Sequence, residues 1–351
     1  MKTFQAGILG ATGAVGQKFI RLLENHPWFR VAALGASERS AGKPYREAAH
    51  WIESTGLPGE VADMEVMTCD PRRFSGMDFV FSGLDSSVAG RIERSFAEAG
   101  IPVISNAKNH RMDDLVPLLV PEVNPDHAEL VRSQRYRGDG KGWILTNPNC
   151  VSVPLAMSLR PLHDAFGVTA AVVTSMQSVS GAGYPGVSSM DILGNIVPHI
   201  AGEEEKVQTE ALKLLGDRQE EEVRFADFPI QATAVRVPTV EGHLISVSVG
   251  LERKPGDLEE LRAAYTSWKS PIAGLDLPSS PRVPVRLYTE ERFPQPRLQA
   301  YRENGMQASV GRLRLGTVLD AGYVTLAHNT VRGAAGGAVL NAELLVRKGY
   351  L

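Results

Sequence analysis

The 351 residues carry 37 Lys and Arg against 40 Asp and Glu, a net charge of −3 with no basic block. Nothing in that balance gathers a phosphate backbone or an anionic membrane surface, so neither nucleic acid nor a membrane is expected as a partner. A hydrophobic fraction of 43% with 34 Gly and 22 Pro excludes a disordered or low-complexity chain and leaves room for two domains.

From Thr3 to Thr146 short apolar runs alternate with helical patterns, the signature of a parallel sheet wrapped by helices. The opening stretch, Met1 to Gly16, reads as a strand and a glycine turn rather than a signal core, because Gly7, Gly10, Gly13 and Gly16 interrupt it. Thr3 to Leu9 is the first strand. Val15, Phe19, Leu22 and Leu23 then mark one buried face of a helix that Asn25 to Pro27 ends. Strands follow at Val31 to Ala36 and Asp78 to Leu84. Val88, Ile92, Phe96 and Ala99 predict the inward face of a second helix closing at Gly100. Ile101 to Ser105, Val116 to Val123 and Trp143 to Thr146 complete the strands of this half.

Beyond about Gly167 the texture changes to long β-rich segments, Val168 to Gln177, Ile230 to Pro238 and His243 to Glu252. Helices are predicted at Gly202 to Leu215 and at Asp257 to Trp268, the latter opened by an Asp cap. The acidic run Glu220 to Glu222 is read as a solvated turn. Proline is frequent between Gly274 and Glu303, which predicts an extended excursion over the surface. Asn329 to Lys348 reads as a helix returning to the first half. The expected fold is α/β: an N-terminal Rossmann-type dinucleotide-binding domain over 1–149, an α+β domain over 150–328, and a C-terminal helix over 329–351 that packs on the first domain.

Gly10-Ala11-Thr12-Gly13-Ala14-Val15-Gly16 lies between a strand and a helix, where backbone N–H groups at the positive helix terminus can cradle a pyrophosphate. Its spacing is G-x-x-G-x-x-G rather than the common G-x-G-x-x-G. At the end of the second strand, Ser37-Glu38-Arg39-Ser40-Ala41-Gly42-Lys43 offers hydroxyls and a guanidinium, which suit a 2′-phosphate and favour NADP. Glu38 turned inward would suit NAD instead.

There are two cysteines, too few for a disulfide framework, and with no apolar run near about 18 residues the expected compartment is the reducing cytoplasm. Cys69, at a strand end in Val66 to Asp70, is read as structural. Cys150, in Asn147-Pro148-Asn149-Cys150, precedes a helical pattern, where a helix dipole and an Asn149 cap would hold a thiolate. A buried, inert Cys150 is the competing reading. His243 opens a strand after Gly242 and is the candidate base, although taken by itself a histidine there is more often a satisfied structural residue. Arg236, on an otherwise apolar strand, calls for an anionic partner such as a substrate carboxylate. No grouping has metal-ligand spacing, so no metal is expected.

Taken together, these motifs resemble the aspartate-semialdehyde dehydrogenase family, in its archaeal and fungal-like branch, over essentially the whole chain. Further blocks carry the resemblance: Ser105 to Arg111, Pro121 to Pro125, Gln177 to Gly183 and Asn329 to Gly337. The resemblance implies Cys150 as nucleophile and thioester site, His243 as acid/base and Gln177 as the group orienting the substrate. It further implies Arg236 at the substrate carboxylate, Glu203 at its amino group, and Lys206, Asn109 and Arg111 near the departing phosphate. Which of Glu203, Glu204 and Glu205 faces the substrate stays open, because a helix start favours acidic residues in any case. The cofactor NADP would be held by Gly10, Thr12, Gly13, Ala14, Val15, Ser37, Arg39, Ser40, Ser180, Gly181 and Asn329. The implied substrates are aspartyl phosphate or aspartate semialdehyde with phosphate, and the implied assembly is a homodimer or homotetramer. An acyl-CoA reductase such as malonyl-CoA reductase, an N-acetylglutamyl-phosphate reductase and a non-catalytic NADP-binding regulator are the alternatives.

Overall fold

The computed structural model describes residues 2–351, so the Met1 end of the predicted opening stretch lies outside the described residues. In the first half β1 (Phe4–Leu9), α1 (Ala14–Leu23), β2 (Phe29–Ala36), α2 (Tyr45–Ala48), α3 (Gly59–Ala62) and β3 (Val66–Thr68) follow one another. β4 (Phe79–Ser82), α4 (Ser86–Glu98), β5 (Val103–Ser105) and β6 (Ile144–Thr146) complete it. The six strands are all parallel in the order β3-β2-β1-β4-β5-β6. That is the doubly wound order of a dinucleotide-binding sheet, whose ligands lie beyond the carboxyl ends of the strands. The glycine turn after β1, Gly83 after β4, Asn106 after β5 and Asn147 after β6 all fall on that edge.

The second half runs through α5 (Ser152–Phe166), β7 (Val168–Gln177), α6 (Ser189–Ile192), α7 (Glu203–Leu215), a small hairpin of β8 (Asp217–Arg218) and β9 (Val223–Arg224), β10 (Ile230–Arg236) and β11 (His243–Leu251). α8 (Leu258–Thr266), β12 (Val285–Leu287), α9 (Pro296–Gln299), β13 (Ala308–Leu315), β14 (Ala321–Ala327) and α10 (Gly336–Lys348) close the chain. Its main sheet is mixed, in the order β10-β7-β11-β14-β13-β12. The apolar length of α5 packs on this sheet, with Leu155, Leu159 and Leu162 against Val173, Val247 and Tyr323 in one buried cluster. Asp257 caps α8 as predicted, its carboxylate accepting the Glu260 N–H at 2.9 Å.

α10 returns to the first half. Ala338, Val339, Leu340 and Leu344 share a core with Phe4, Phe19, Phe29 and Phe81. The buried Glu343 accepts from His26 at 2.9 Å and from the Ser279 N–H at 3.0 Å, so one carboxylate clasps the helix, the loop after α1 and the long excursion.

Four expectations need correction. Val116 to Val123 is not a strand; only Leu118 forms a bridge, to Thr146, because Asn124 draws the chain into a turn by capping the Val120 N–H. On α4 the buried face is Ala89, Glu93 and Phe96, while Val88 is 39% exposed. The reading along apolar residues passed over a buried carboxylate that accepts both the Ser82 and the Ser105 hydroxyls. The returning helix starts at Gly336 rather than Asn329, since Val331–Ala335 is a wider π turn with Ala334 outside helical angles. The Pro-rich excursion is not wholly superficial: β12 within it is an edge strand with Val285 buried.

Candidate active site

Cys150 sits in the turn between β6 and α5. The Asn147 N–H bonds Ser105 O at 2.7 Å and holds the start of this turn to the sheet. Asn149 Oδ1 accepts the Val151 N–H at 2.8 Å, so Asn149 caps the turn carrying the cysteine rather than the first helical residue, Ser152. On the other side Gly333 presses against the turn: a Cβ there would fall 2.7 Å from Cys150 Cβ.

His243, at the first position of β11, is fully buried, and its Nε2 lies 3.2 Å from Cys150 Sγ. The other ring nitrogen, Nδ1, lies 3.1 Å from both the N–H and the Oγ of Ser178. Arg236 closes β10, the strand beside β7, and donates from Nη1 to Ser178 O at 2.9 Å. Gly181 packs closely on both: a Cβ there would meet Arg236 Nη1 at 2.8 Å and His243 Cε1 at 3.0 Å. Among the described residues Arg236 has no carboxylate partner, although Cys150 and Glu203 lie near enough to favour its charge.

The first turn of α7 sets its three glutamates in different surroundings. Glu203 is buried, and its Oε2 accepts from Asn149 Nδ2 at 3.0 Å and Gln177 Nε2 at 3.3 Å, while Lys206 pairs with its Oε1. Glu204 turns away to cap the Ala234 N–H, and Glu205 is exposed. Two and about three turns after Glu203, Glu210 and Lys213 continue the same face, and neither is singled out in the sequence. Glu210 accepts the Asn149 N–H at 2.6 Å and pairs with Arg111 Nη1 at 2.8 Å. Lys213 donates to the carbonyls of Arg111, Asp113 and Val116. Burial draws its pKa down to about 8, yet three acceptors match its three ammonium hydrogens. The available signal was the spacing 203, 206, 210, 213, which puts four charged residues on one helix face, and a face bearing buried Glu203 cannot be solvated.

Arg111 is thus fastened by Glu210 and by its Nη2 bond to Asn106 O at 2.7 Å, and its Nε is buried without a partner. Asn109, expected with it, bonds Ser86 O on α4 instead and takes no part in the hydrogen bonds around Cys150. Asn329, expected at the cofactor, is 2% exposed; its Oδ1 accepts from the Ser178 hydroxyl and the Gly242 N–H, and its Nδ2 donates to Ser180 Oγ.

Charge at the pair departs from the expected thiolate. Burial pushes the Cys150 thiol up to about 12, reinforced by Glu203 and opposed by Arg111, Arg236 and Lys206. Burial pulls His243 down to about 3, with Arg236 and His328 in the same direction and Glu203 against. The reading of a thiolate held at rest by the helix terminus is therefore corrected. The cysteine precedes the helix by two residues, and at neutral pH the pair is a thiol beside a neutral imidazole.

At the nucleotide turn, Gly10 has φ +77° and a Cβ on it would meet Gly83 O at 2.7 Å. A Cβ on Gly16 would meet Gly10 O at 2.3 Å, so these two glycines serve close packing. Gly13, the residue before α1, meets nothing closer than 3.4 Å and leaves the face of Thr12, Ala14 and Val15 open to a ligand. The first turn of α1 carries no acidic residue, which suits an anion at its N–H groups. Ser37, Glu38 and Arg39 are exposed beyond β2 with Ser40 half-buried, and neither Arg39 nor Lys43 has an ion-pair partner among the described residues. These residues fit a dinucleotide bearing a 2′-phosphate. Among the described residues no three His, Cys, Asp or Glu groups are arranged to hold a metal, and no helix is long and apolar enough to cross a membrane.

A doubly wound nucleotide sheet, joined to a mixed sheet that brings a histidine to a cysteine among cations, defines the architecture of a dinucleotide-dependent dehydrogenase. Residues 5–131 match the semialdehyde dehydrogenase NAD binding domain and residues 159–332 the semialdehyde dehydrogenase dimerisation domain. The chain belongs to the aspartate-semialdehyde dehydrogenase family and is an enzyme. It is 46% identical to the aspartate-semialdehyde dehydrogenase of Schizosaccharomyces pombe, covering 99% of each chain. The Archaeoglobus fulgidus enzyme is also 46% identical, over 98% of each. The structure of the Candida albicans enzyme with NADP superposes with a TM-score of 0.92 at 42% identity, covering 100% of both chains.

Proposed function

We propose that this protein is an NADP-dependent aspartate-semialdehyde dehydrogenase that converts L-aspartyl-4-phosphate to L-aspartate 4-semialdehyde through a thioester on Cys150, in lysine, threonine and methionine biosynthesis. The observation that carries the reading is the 3.2 Å approach of His243 Nε2 to Cys150 Sγ inside a ring of Arg111, Lys206 and Arg236. His243 takes the thiol proton as sulfur attacks the acyl phosphate carbonyl. Arg111 and Lys206 neutralise the charge leaving with phosphate, and their cationic field opposes part of the burial that keeps sulfur protonated. Arg236, buried without a carboxylate partner, holds the substrate α-carboxylate, and Glu203 holds its amino group in place of Lys206. Gln177, on the strand beside His243, orients the acyl group. When bound, NADPH supplies the hydride that reduces the thioester. His243 then returns its proton as sulfur departs from the thiohemiacetal.

The cofactor is proposed to rest on Gly10, Thr12, Gly13, Ala14 and Val15, with Ser37, Arg39 and Ser40 at its 2′-phosphate and Ser180 and Gly181 toward the nicotinamide. The domains divide at 1–149, 150–328 and 329–351, the second mediating a homodimer or homotetramer in the cytoplasm. Absorbance at the reduced-nicotinamide band, followed with aspartate semialdehyde, phosphate and NADP and then with NAD, tests the reading. Phosphate-dependent reduction of NADP is expected. Reaction with malonyl-CoA and NADPH, and none with aspartate semialdehyde, would replace it by an acyl-CoA reductase.

A further inference from the structure

A neutral imidazole accepts the cysteine proton at Nε2 only in the tautomer that carries its hydrogen on Nδ1. Which tautomer His243 holds is therefore decided on the side of the ring away from sulfur, where Ser178 stands with no solvent exposure. Two of its atoms reach Nδ1, and they ask for opposite things: the N–H, at 3.1 Å, favours a bare nitrogen, whereas a lone pair on Oγ, also at 3.1 Å, favours Nδ1–H.

What breaks the tie is the direction of the Ser178 hydroxyl hydrogen, and Asn329 fixes that. Asn329 Oδ1 already accepts the Gly242 N–H at 2.9 Å, and its Nδ2 donates to Ser180 Oγ at 2.9 Å, so the amide can be placed only with oxygen toward Ser178. Ser178 Oγ, 3.1 Å from that oxygen and 3.3 Å from Ser180 Oγ, donates to the nearer acceptor. Its lone pair is then left facing Nδ1.

We propose that Asn329 and Ser178 are positioning residues that hold His243 with hydrogen on Nδ1 and a bare Nε2 toward Cys150. The order is Asn329 Oδ1, Ser178 Oγ–H, His243 Nδ1–H, His243 Nε2, Cys150 Sγ. The same Oγ lone pair serves the imidazolium once Nε2 has taken the thiol proton, so the hydrogen bond made before transfer is kept after it. One proton moves from sulfur to Nε2, and no other bond on the relay changes. Both residues come from outside the strands that carry the reacting pair: Ser178 follows β7 and Asn329 follows β14, and both strands flank β11. Ser178 also accepts Arg236 Nη1 at its carbonyl, so the residue that sets the base sets the guanidinium as well.

The inference rests on the proposed pairing of Cys150 with His243, but its test does not need the proposed substrate. The charged or titratable groups facing His243 are Cys150, Arg236, Glu203 and His328, the last beside Glu241. None of them is altered by Ser178→Ala or by the hydroxyl-retaining Ser178→Thr. Full-length protein of each kind is alkylated with iodoacetamide between pH 6 and pH 10, Cys150 is quantified by mass spectrometry, and kcat and KM are measured with aspartate semialdehyde, phosphate and NADP. Ser178→Ala is expected to slow Cys150 alkylation at pH 7 by about 10–100-fold. It should lower kcat with KM within about twofold, and the alkylation defect should narrow toward pH 10, where hydroxide increasingly takes over the role of the base. Ser178→Thr should recover most of the rate. A Ser178→Ala protein whose alkylation follows the wild-type pH profile overturns the relay, as does a defect equally large at every pH. If the wild type fails to reduce NADP with aspartate semialdehyde while Ser178→Ala still shows the pH-dependent alkylation defect, the substrate reading falls and the relay stands.

Discussion

Two thiols stand at the ends of parallel strands in the same sheet, Cys69 after β3 and Cys150 after β6. Burial raises both, Cys69 to about 11 and Cys150 to about 12. Acidity therefore does not separate them, and their neighbours do. Cys69 Sγ faces backbone, Ala36 O at 3.8 Å and the Gly10 N–H, and packs against Gly35. Cys150 has an imidazole at 3.2 Å, three cations within electrostatic reach and a carboxylate opposing them. On the proposed function, the second half distinguishes Cys150 by delivering His243, Arg236 and Lys206 to the edge of the first sheet, where Arg111 already stands.

The sharpest break of that contrast is removal of each sulfur in turn. Cys150→Ala should lower turnover by at least about 10⁴-fold with NADPH binding, followed by fluorescence, unchanged. Cys69→Ala should leave kcat within about twofold. Next comes the base: His243→Asn should cost about 10²–10⁴-fold in kcat, and Cys150 alkylation at pH 7 should fall toward that of Cys69. Arg236→Leu should act mainly on substrate capture, raising KM for aspartate semialdehyde by about 10–100-fold through loss of a charge-assisted bond. Glu210→Gln, which keeps the size but weakens the grip on Arg111 and the Asn149 N–H, should raise KM for phosphate by about 3–10-fold, read from initial rates at varied phosphate.

The same histidine makes a prediction for stability. Its folded pKa, about 3, lies below the unfolded value of about 6.5. Between those values the unfolded chain binds more protons, so stability falls as pH drops from 6.5 toward 3. Urea midpoints measured across this window should decline less steeply for His243→Asn than for the wild type.

The architecture was legible wherever apolar periodicity met turn chemistry. β1, α1, β2 and, in the second sheet, β7, β10 and β11 follow that pattern, whereas β12, β13 and β14 do not, and the glycine turn marks the first crossover. It failed where polar groups were buried. Glu93 was passed over on α4 because an apolar face was sought, and Val116 to Val123 was taken for a strand because Asn124's capping bonds are not written in hydropathy. In the candidate site Cys150, His243 and Arg236 stand out by their sequence context, whereas Glu203 comes only with the family resemblance, as one of three glutamates. Ser178, Glu210 and Lys213 do not stand out, since a serine in a loop and charges on a helix read as solvated until folding buries them. The resting thiolate was misread for the same reason: proximity to a helix start is visible in sequence, whereas the depth of the sulfur is not.

The contrast between the thiols is measured most directly by competitive alkylation within one sample of the wild-type protein, at pH 7 with limiting iodoacetamide, quantifying Cys69 and Cys150 peptides together. Cys150 should be modified at least about tenfold faster than Cys69, and aspartate semialdehyde should protect Cys150 alone. Equal rates at the two cysteines, or no protection of Cys150, would contradict the account.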